Sequence, residues 1–235
     1  MSTIPPYSTG PESFSAFNGQ SPAPNSPIPG IVSARARAKT GIRIALGFLI
    51  LTWSIHIANE FIFGGALQYF GIVPLEPSMA LHVFTAPLVH GSFAHLIANT
   101  VPGALFAFLV GYSGRRVFWE VTMIAVVIGG AGVWLLGGVG TLHVGASGVI
   151  YGWLAYLIVR GVFNLSFSQV LVGVLLAFMY SGLVWGVFPG EAGVSWQGHL
   201  FGAVGGIIAG AFITSDDPPA LRAKKEAKRI QKRAK

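Results

Sequence analysis

Long apolar runs separated by short polar stretches dominate the hydropathy pattern of this chain. Six runs occur, at residues 42–63, 93–110, 117–137, 147–159, 170–188 and 196–213. A helix needs about 20 apolar residues to cross a hydrocarbon core about 30 Å thick, and most of the runs approach that length. The pattern therefore predicts an all-α, polytopic membrane protein with a bundle of six transmembrane helices.

The fourth run is shorter than the others. It begins at Ser147 and ends near Val159, before Arg160. At a rise of about 1.5 Å per residue, the helix from Ser147 to Arg160 is only about 20 Å long. The non-helical, glycine-rich stretch 137–146 precedes it, and such backbone lies at membrane depth only inside protein or beside a water-filled cavity. We therefore expect a short, buried fourth helix that begins in a wet pocket below the outer surface.

Both ends of the chain differ from its apolar middle. Residues 1–32 are rich in proline, serine and glycine and carry one charge, Glu12, so we expect them to be disordered. The stretch 221–235 is basic and predicted to be helical, either as a solvated tail or against anionic lipid. The predicted organisation is an N-terminal tail over 1–40 that ends in a basic cluster, a membrane domain over 41–214 and a basic tail over 215–235.

Composition and charge sharpen this topology. Hydrophobic residues make up 53% of the 235 residues, charged residues 10%, and cysteine is absent, which excludes disulfides and thiolate sites. All 15 Lys and Arg lie at the first run or before it, between runs two and three, between runs four and five, or after run six. Because positive charge marks the cytoplasmic side, both termini are predicted to be cytoplasmic, in a multi-pass plasma-membrane protein. The net charge of +7 thus belongs to the ends and does not indicate nucleic-acid binding.

Unusual polar residues lie at the outer ends of the second, fourth and sixth helices, which run in the same direction. His95 and Asn99 share a face of the second helix, Ser147 begins the fourth, and His199 lies three residues into the sixth. Glycines recur at four-residue spacing in the fourth and sixth helices, which allows two helices to approach closely. This packing would make Ser147 and His199 neighbours.

A serine beside a histidine favours nucleophilic catalysis. A serine hydroxyl needs a base to accept its proton, and histidine titrates near neutral pH. Since Asp216 and Asp217 are the only aspartates and lie at the cytoplasmic end, we predict a Ser147–His199 dyad without a carboxylate. Tyr151, one turn below Ser147, is placed to pack against the imidazole.

An acyl transfer also needs donors for the developing oxyanion. His95, Asn99 and the free Ser147 amide at a helix N-terminus are the candidates. In the alternative interpretation, His95 and Asn99 only join helices by hydrogen bonds, and His90 fixes a loop. His56, His82 and His143 receive no role.

Two other kinds of function compete with catalysis by serine. A metal site is disfavoured because there is no H-E-x-x-H motif and no carboxylate beside the histidines. A small transporter would need paired charges along a path through the membrane. We expect no metal and no other cofactor.

Three motifs together resemble the rhomboid family of intramembrane serine proteases, in its six-helix bacterial form. They are residues 90–99 (HGSFAHLIAN), residues 145–148 (GASG) followed by Tyr151, and residues 198–202 (GHLFG). The resemblance covers roughly residues 40–214. It implies that Ser147 is the nucleophile and that His199 is the general base and then the general acid.

The resemblance also implies supporting roles. His95, Asn99 and the Ser147 amide would form the oxyanion site, and His90 would brace the first loop against the second helix. Gly145 belongs to the nucleophile motif, and Gly202 would provide the close contact to the fourth helix.

The resemblance further implies the substrates. They would be single-span membrane proteins, cleaved within or near the membrane at small residues and entering past the fifth helix. Such a protein has the lipid bilayer as its surroundings and no nucleic-acid partner, while its oligomeric state stays open. A non-catalytic relative that binds membrane helices is the alternative, although such proteins usually lack the serine or the histidine.

One feature departs from the family pattern. Its first long loop often carries a Trp-Arg pair before the second helix, where this chain has Leu81-His82. The resemblance therefore does not predict how this loop is anchored.

Overall fold

Helices account for nearly all the regular structure of the chain, whose computed structural model describes residues 33–190 and 193–233. The α helices are α1 (Ala34–Phe61), α2 (Phe93–Ser113), α3 (Arg115–Leu136), α4 (Ser147–Phe163), α5 (Phe167–Met179), α6 (Trp196–Phe212) and α7 (Pro219–Arg233). Short 3₁₀ helices cover Ala66–Phe70, Pro77–Phe84, Ala86–Leu88 and Ser181–Val187. In these two described stretches there is no strand, only a single bridge between Ile72 and His143. The all-α class is confirmed.

Three helices, α1 to α3, are long and apolar enough to cross a membrane. The helix α5 and the 3₁₀ segment Ser181–Val187 make a fourth if the bent pair is counted as one span. The helices α4 and α6 have 17 residues each, about 26 Å at the usual rise per residue. The count of six spans therefore stays a prediction.

The fifth apolar run does not form one continuous helix. The helix α5 ends at Met179, and the chain continues as a 3₁₀ segment bent by 71° from it. Two carbonyl groups of this segment, those of Leu183 and Gly186, accept hydrogen bonds from side chains of α4 and α6. These bonds hold the bent conformation. Because the run contains no proline to mark the bend, hydropathy alone does not reveal it.

The helix α4 lies at the centre of the bundle and packs against α2, α3, α5 and α6. Its side chains are buried on every face, including Ile150, Trp153 and Tyr156. The Trp153 indole donates a 2.9 Å hydrogen bond to Thr122 Oγ1 of α3. A helix whose middle is enclosed by protein in this way can be shorter than the bilayer is thick.

Glycines bring α4 and α6 into backbone contact. A Cβ at Gly202 would overlap the carbonyl oxygen of Gly148, and a Cβ at Gly206 would overlap that of Gly152. The four-residue spacing in both helices repeats this contact one turn further along. The N-terminal ends of the two helices are therefore held next to each other.

The other ends of α4 and α6 meet in a buried ionic cluster. Arg160 pairs with Asp216 and with Asp217, and it donates 2.7 Å to the carbonyl oxygen of Gly210. The prediction that the fourth helix ends before Arg160 is wrong, since α4 continues to Phe163 and Arg160 is buried inside it. The nearby aspartates make its burial tolerable, because a buried charge needs a partner.

The acid Glu120 also lies inside a helix, one turn into α3. It accepts hydrogen bonds from Arg116 at 2.7 Å and from the Ser215 hydroxyl. Both the acid and its basic partner lie at the end of α3 that begins at Arg115, so they do not form a path of charges through the bundle.

Two predictions extend to residues outside the described stretches. They concern the disordered tail over 1–32 and the last two residues of the basic tail.

Candidate active site

Ser147 is the first residue of α4 and follows a sharp turn. Gly145 has φ = +117°, in the left-handed region that favours glycine, and a Cβ there would run into the imidazole of His95. The Gly145 amide donates 2.9 Å to the carbonyl oxygen of Ala86 in the first loop. The turn thus holds the start of α4 against both α2 and the loop, and it leaves the first amides of α4 without helical acceptors.

The hydroxyl of Ser147 lies in hydrogen-bond contact with His199. The distance from Ser147 Oγ to His199 Nε2 is 2.8 Å. The second ring nitrogen, Nδ1, lies 2.9 Å from the carbonyl oxygen of Gly186. A carbonyl only accepts hydrogen bonds, so Nδ1 carries the proton and Nε2 is the acceptor for the serine hydroxyl. This is the arrangement that a general base requires.

Tyr151 holds the other side of this imidazole. Its ring is stacked on that of His199, with centroids 4.1 Å apart and an angle of 8° between the planes. Its hydroxyl donates 2.8 Å to the carbonyl oxygen of Leu183. The 3₁₀ segment Ser181–Val187 therefore fixes the imidazole directly through Gly186 and indirectly through Tyr151.

The two candidate oxyanion donors lie on α2 beside the turn. The His95 ring faces Gly145. Asn99 is buried, and its Nδ2 donor has no hydrogen-bond acceptor among the described residues. Burying an unpaired donor is costly, so such a group needs an explanation beyond stability. An active site would explain such a donor, because its acceptor, the developing oxyanion, forms only during the reaction.

His90 is wholly buried between two other histidines. Its ring centroid lies 5.1 Å from that of His95 and 6.4 Å from that of His56, with both pairs near perpendicular. Neither ring nitrogen of His90 or His56 finds a partner among the described residues. His90 therefore packs between His56 of α1 and His95 of α2 through edge-to-face ring contacts.

His143, which received no role from the sequence, ties the α3–α4 loop to the start of α6. Its Nδ1 lies 2.7 Å from Ser195 Oγ, and its Nε2 lies 3.0 Å from the carbonyl oxygen of Gly137 and 2.8 Å from Thr141 Oγ1. Burial of this loop histidine lowers its pKa and keeps the ring neutral. The neutral ring can donate to Gly137 and accept from Ser195, which fixes the chain just before Ser147 relative to the helix that carries His199.

The first loop is anchored by hydrogen bonds where the usual Trp-Arg pair is absent. His82 Nδ1 lies 3.0 Å from the carbonyl oxygen of Gly71, and Thr85 Oγ1 donates 2.7 Å to that of Phe70. The Trp134 indole of α3 donates 3.2 Å to the carbonyl oxygen of Glu76. Leu81 is exposed and takes no part.

A cavity of about 50 Å³ opens beside the serine. Its lining includes Gly145, Ser147 and Gly148 from the turn, Val83 and Ala86 from the first loop, and Gly129 from α3. Small and aliphatic residues make up most of the wall. The cavity has room for a small side chain next to Ser147.

The site also contains a residue that the motifs did not reveal. Gly186 acts through its backbone carbonyl, a group that every residue has, so residue type gives no direct signal. An indirect signal is its lack of a side chain, because a Cβ there would meet the Tyr151 hydroxyl and lie 3.0 Å from His199 Nδ1.

Among the residues of the two described stretches, no group of three or more metal-ligating side chains is placed to hold a metal ion.

Comparison with known proteins places this arrangement in context. A family model described as the Rhomboid domain matches residues 77–216, which include α2 to α6. An uncharacterized protein of Mycobacterium tuberculosis is 39% identical over 201 residues, covering 82% of this chain and 83% of its own length, and one of Mycobacterium bovis has the same values. An uncharacterized protein of Mycobacterium leprae is 36% identical, covering 82% and 79%. Together with the apolar helices, the family match identifies a multi-pass membrane protein.

Proposed function

The chain belongs to the rhomboid family, and from this membership we propose that it is a serine endopeptidase that cleaves membrane proteins within or near the bilayer. One observation carries the proposal. Ser147 Oγ lies 2.8 Å from His199 Nε2. Because the proton of the neutral ring is on Nδ1, Nε2 is free to act as the base. Family membership alone does not require this geometry, since members that have lost catalysis usually lack one of the two residues.

The geometry supports a two-step reaction. In the first step, His199 Nε2 takes the hydroxyl proton as Ser147 Oγ attacks the scissile carbonyl carbon, forming a tetrahedral intermediate. The intermediate collapses, the peptide C–N bond breaks, and His199 gives its proton to the departing amine. In the second step a water repeats the sequence on the acyl-enzyme ester and frees the new carboxyl terminus.

The developing negative charge on the carbonyl oxygen needs donors. We assign this role to the Asn99 amide, the His95 ring and the backbone N–H of Ser147. Gly145 contributes by letting the turn approach His95. His90 supports the site by filling the space behind His95, and Gly202 supports it by holding α6 against α4.

The imidazole has no carboxylate to orient it among the described residues of the site. The Gly186 carbonyl takes that place, since it accepts from Nδ1 as the aspartate of a triad does. Tyr151 adds a second constraint by stacking. A neutral carbonyl stabilises an imidazolium less than a carboxylate does, so this site relies more on orientation than on charge.

The proposed substrates are single-span membrane proteins with small residues at the cleavage site, which the cavity beside Ser147 can accommodate. The positive charges support a plasma-membrane protein with both termini in the cytoplasm and the site open to the outer side. The protease domain would comprise residues 41–214, with 1–40 and 215–235 as tails. The surrounding bilayer and the substrate are the expected partners.

Cleavage of a model single-span substrate in proteoliposomes tests the proposal. Ser147→Ala and His199→Ala are each expected to abolish cleavage. The matched control is Ser166→Ala, because Ser166 lies in the turn between α4 and α5, at the end of α4 away from Ser147, and this variant should retain full activity. A folded protein without cleavage of any substrate tested and without reaction at Ser147 would instead indicate a non-catalytic, helix-binding relative.

A further inference from the structure

The C-terminal helix α7 carries more positive charge than the acidic residues around it neutralise within the described stretches. Seven of its fifteen residues are Lys or Arg, and its one acid is Glu226. Residues 222–231 are exposed. Such a density of like charge along one helix favours an anionic partner.

Two side-chain contacts, a salt bridge and a hydrogen bond, attach α7 to the rest of the described protein. Lys225 Nζ pairs at 2.7 Å with Asp217, whose side chain is 1% exposed, and Arg222 donates 2.7 Å to the carbonyl oxygen of Ser215. Asp217 is the buried acid that also pairs with Arg160 of α4. The first turns of α7 are therefore fixed to the ends of α4 and α6.

Three of the remaining bases form no ion pair with Glu226 or with any other acid of the described stretches. The buried cluster is balanced, because Asp216 and Asp217 carry two negative charges while Arg160 and Lys225 carry two positive ones. No ion pair within the described stretches involves Lys224, Lys228 or Arg229. The fold therefore holds these three charges in place without neutralising them.

The position of α7 determines which anion these bases can reach. The helix begins seven residues after α6 ends at Phe212, and the Lys225–Asp217 pair holds its first turns close to that end of α6. Ala223, Ala227 and Ile230 share one face of α7, and Ile230 is exposed. A helix with a narrow apolar face and many bases, low in overall hydrophobicity, is typical of helices that lie in the membrane interface.

We propose that α7 is a binding surface for the headgroups of anionic phospholipids. Lys224, Lys228 and Arg229 would contact the lipid phosphates, and Ile230 would enter the headgroup region. The cation-rich side of the protein is also the side that we assign to the cytoplasm, where anionic lipids are concentrated. The binding does not depend on the chemistry at Ser147.

A single fluorescent probe on α7 tests this proposal. Because the chain has no cysteine, Gln231→Cys gives one attachment point for an environment-sensitive dye on the intact protein. The labelled protein is placed in nanodiscs of phosphatidylcholine alone or of phosphatidylcholine mixed with phosphatidylglycerol. A blue shift of the dye emission is expected only with the anionic lipid. It should be lost in 1 M salt, which shortens the Debye length to about 3 Å.

Charge variants decide whether the three bases are responsible. Lys224→Gln, Lys228→Gln and Arg229→Gln together should abolish the shift, since each base near an anionic surface changes the binding equilibrium by about fivefold. The control exchanges the same residues with charge retained, Lys224→Arg, Lys228→Arg and Arg229→Lys, and should keep the shift. An equal signal in neutral and anionic nanodiscs, or a shift that survives the glutamine variant, would overturn the proposal. Fluorophosphonate labelling of Ser147 monitors the proposed active site separately.

Discussion

The Nδ1 atom of His199 lies 2.9 Å from the carbonyl oxygen of Gly186, so a backbone group orients the imidazole beside Ser147. The carbonyl belongs to the 3₁₀ segment Ser181–Val187, which is bent by 71° from α5. The tautomer and orientation of the proposed base therefore depend on the conformation of a segment outside the three motifs.

Gly186→Ala is expected to lower kcat strongly while the protein stays folded. The added Cβ would meet the Tyr151 hydroxyl and lie 3.0 Å from His199 Nδ1, which displaces the imidazole. A misplacement of about 1 Å at a catalytic group can cost about 100-fold in rate. Single-turnover cleavage measures the effect. Gly182→Ala is the control in the same segment, because a Cβ there meets nothing within 4 Å. Equal losses for both variants would remove the special role of Gly186.

Asn99→Ala is expected to lower kcat by about 100-fold or more with little change in KM or thermal stability. Its Nδ2 has no acceptor among the described residues, so its removal breaks no bond of the resting protein. Thr100→Ala should behave in the opposite way. It removes the acceptor of the 3.1 Å hydrogen bond from the Trp53 indole and should lower stability rather than kcat.

Cleavage kinetics and thermal unfolding of both variants in detergent provide the comparison. If Asn99→Ala lowers the unfolding temperature and leaves kcat unchanged, Asn99 is a structural residue and the oxyanion assignment is wrong.

Gly202→Ala is expected to destabilise the protein by about 1–3 kcal/mol, the usual cost of overpacking, and to reduce activity. Its Cβ would overlap the Gly148 carbonyl and push α6 away from α4, separating His199 from Ser147. Gly47→Ala in α1 is the matched control, since its Cβ has open space. Reversible unfolding in detergent, together with the rate of fluorophosphonate labelling, checks both effects. A Gly202→Ala protein as stable as the control would contradict the close contact.

Arg160→Ala is expected to destabilise the protein by about 3–5 kcal/mol, because it leaves two buried carboxylates without a guanidinium. Adding Asp216→Asn and Asp217→Asn should recover part of the loss by removing those charges. Arg116→Gln breaks an exposed pair with Glu120 and should cost less than about 1 kcal/mol. Urea or heat unfolding of the wild-type protein and the three variants ranks their stabilities. If Arg160→Ala lost as little stability as Arg116→Gln, the cluster would not be desolvated.

Hydropathy and glycine spacing were enough to predict most of the α helices and the contact between α4 and α6, but not where α4 ends or the bend after α5. Both are local, periodic properties: apolar runs determine where helices form, and Gly148 and Gly202 leave room for backbone contact. The Leu81-His82 loop was beyond prediction, since its anchors are backbone carbonyls such as that of Gly71.

Arg160 and His143 show the limit of such reasoning. A cation at the end of an apolar run normally marks a loop. Arg160 can be buried only because Asp216 and Asp217, which are far away in the sequence, pair with it. His143 was left without a role because its partner Ser195 is 52 residues away in the chain. Long-range pairing of this kind leaves no periodic signal.

The central claim, that Ser147 is a nucleophile activated by His199, is tested most directly by chemical labelling. The protein in detergent is treated with a fluorophosphonate, digested, and the adduct is mapped by mass spectrometry. We predict a single adduct on Ser147 that disappears in His199→Ala and persists in Ser166→Ala. An adduct on another serine, or cleavage of a membrane substrate that survives Ser147→Ala, would contradict the account.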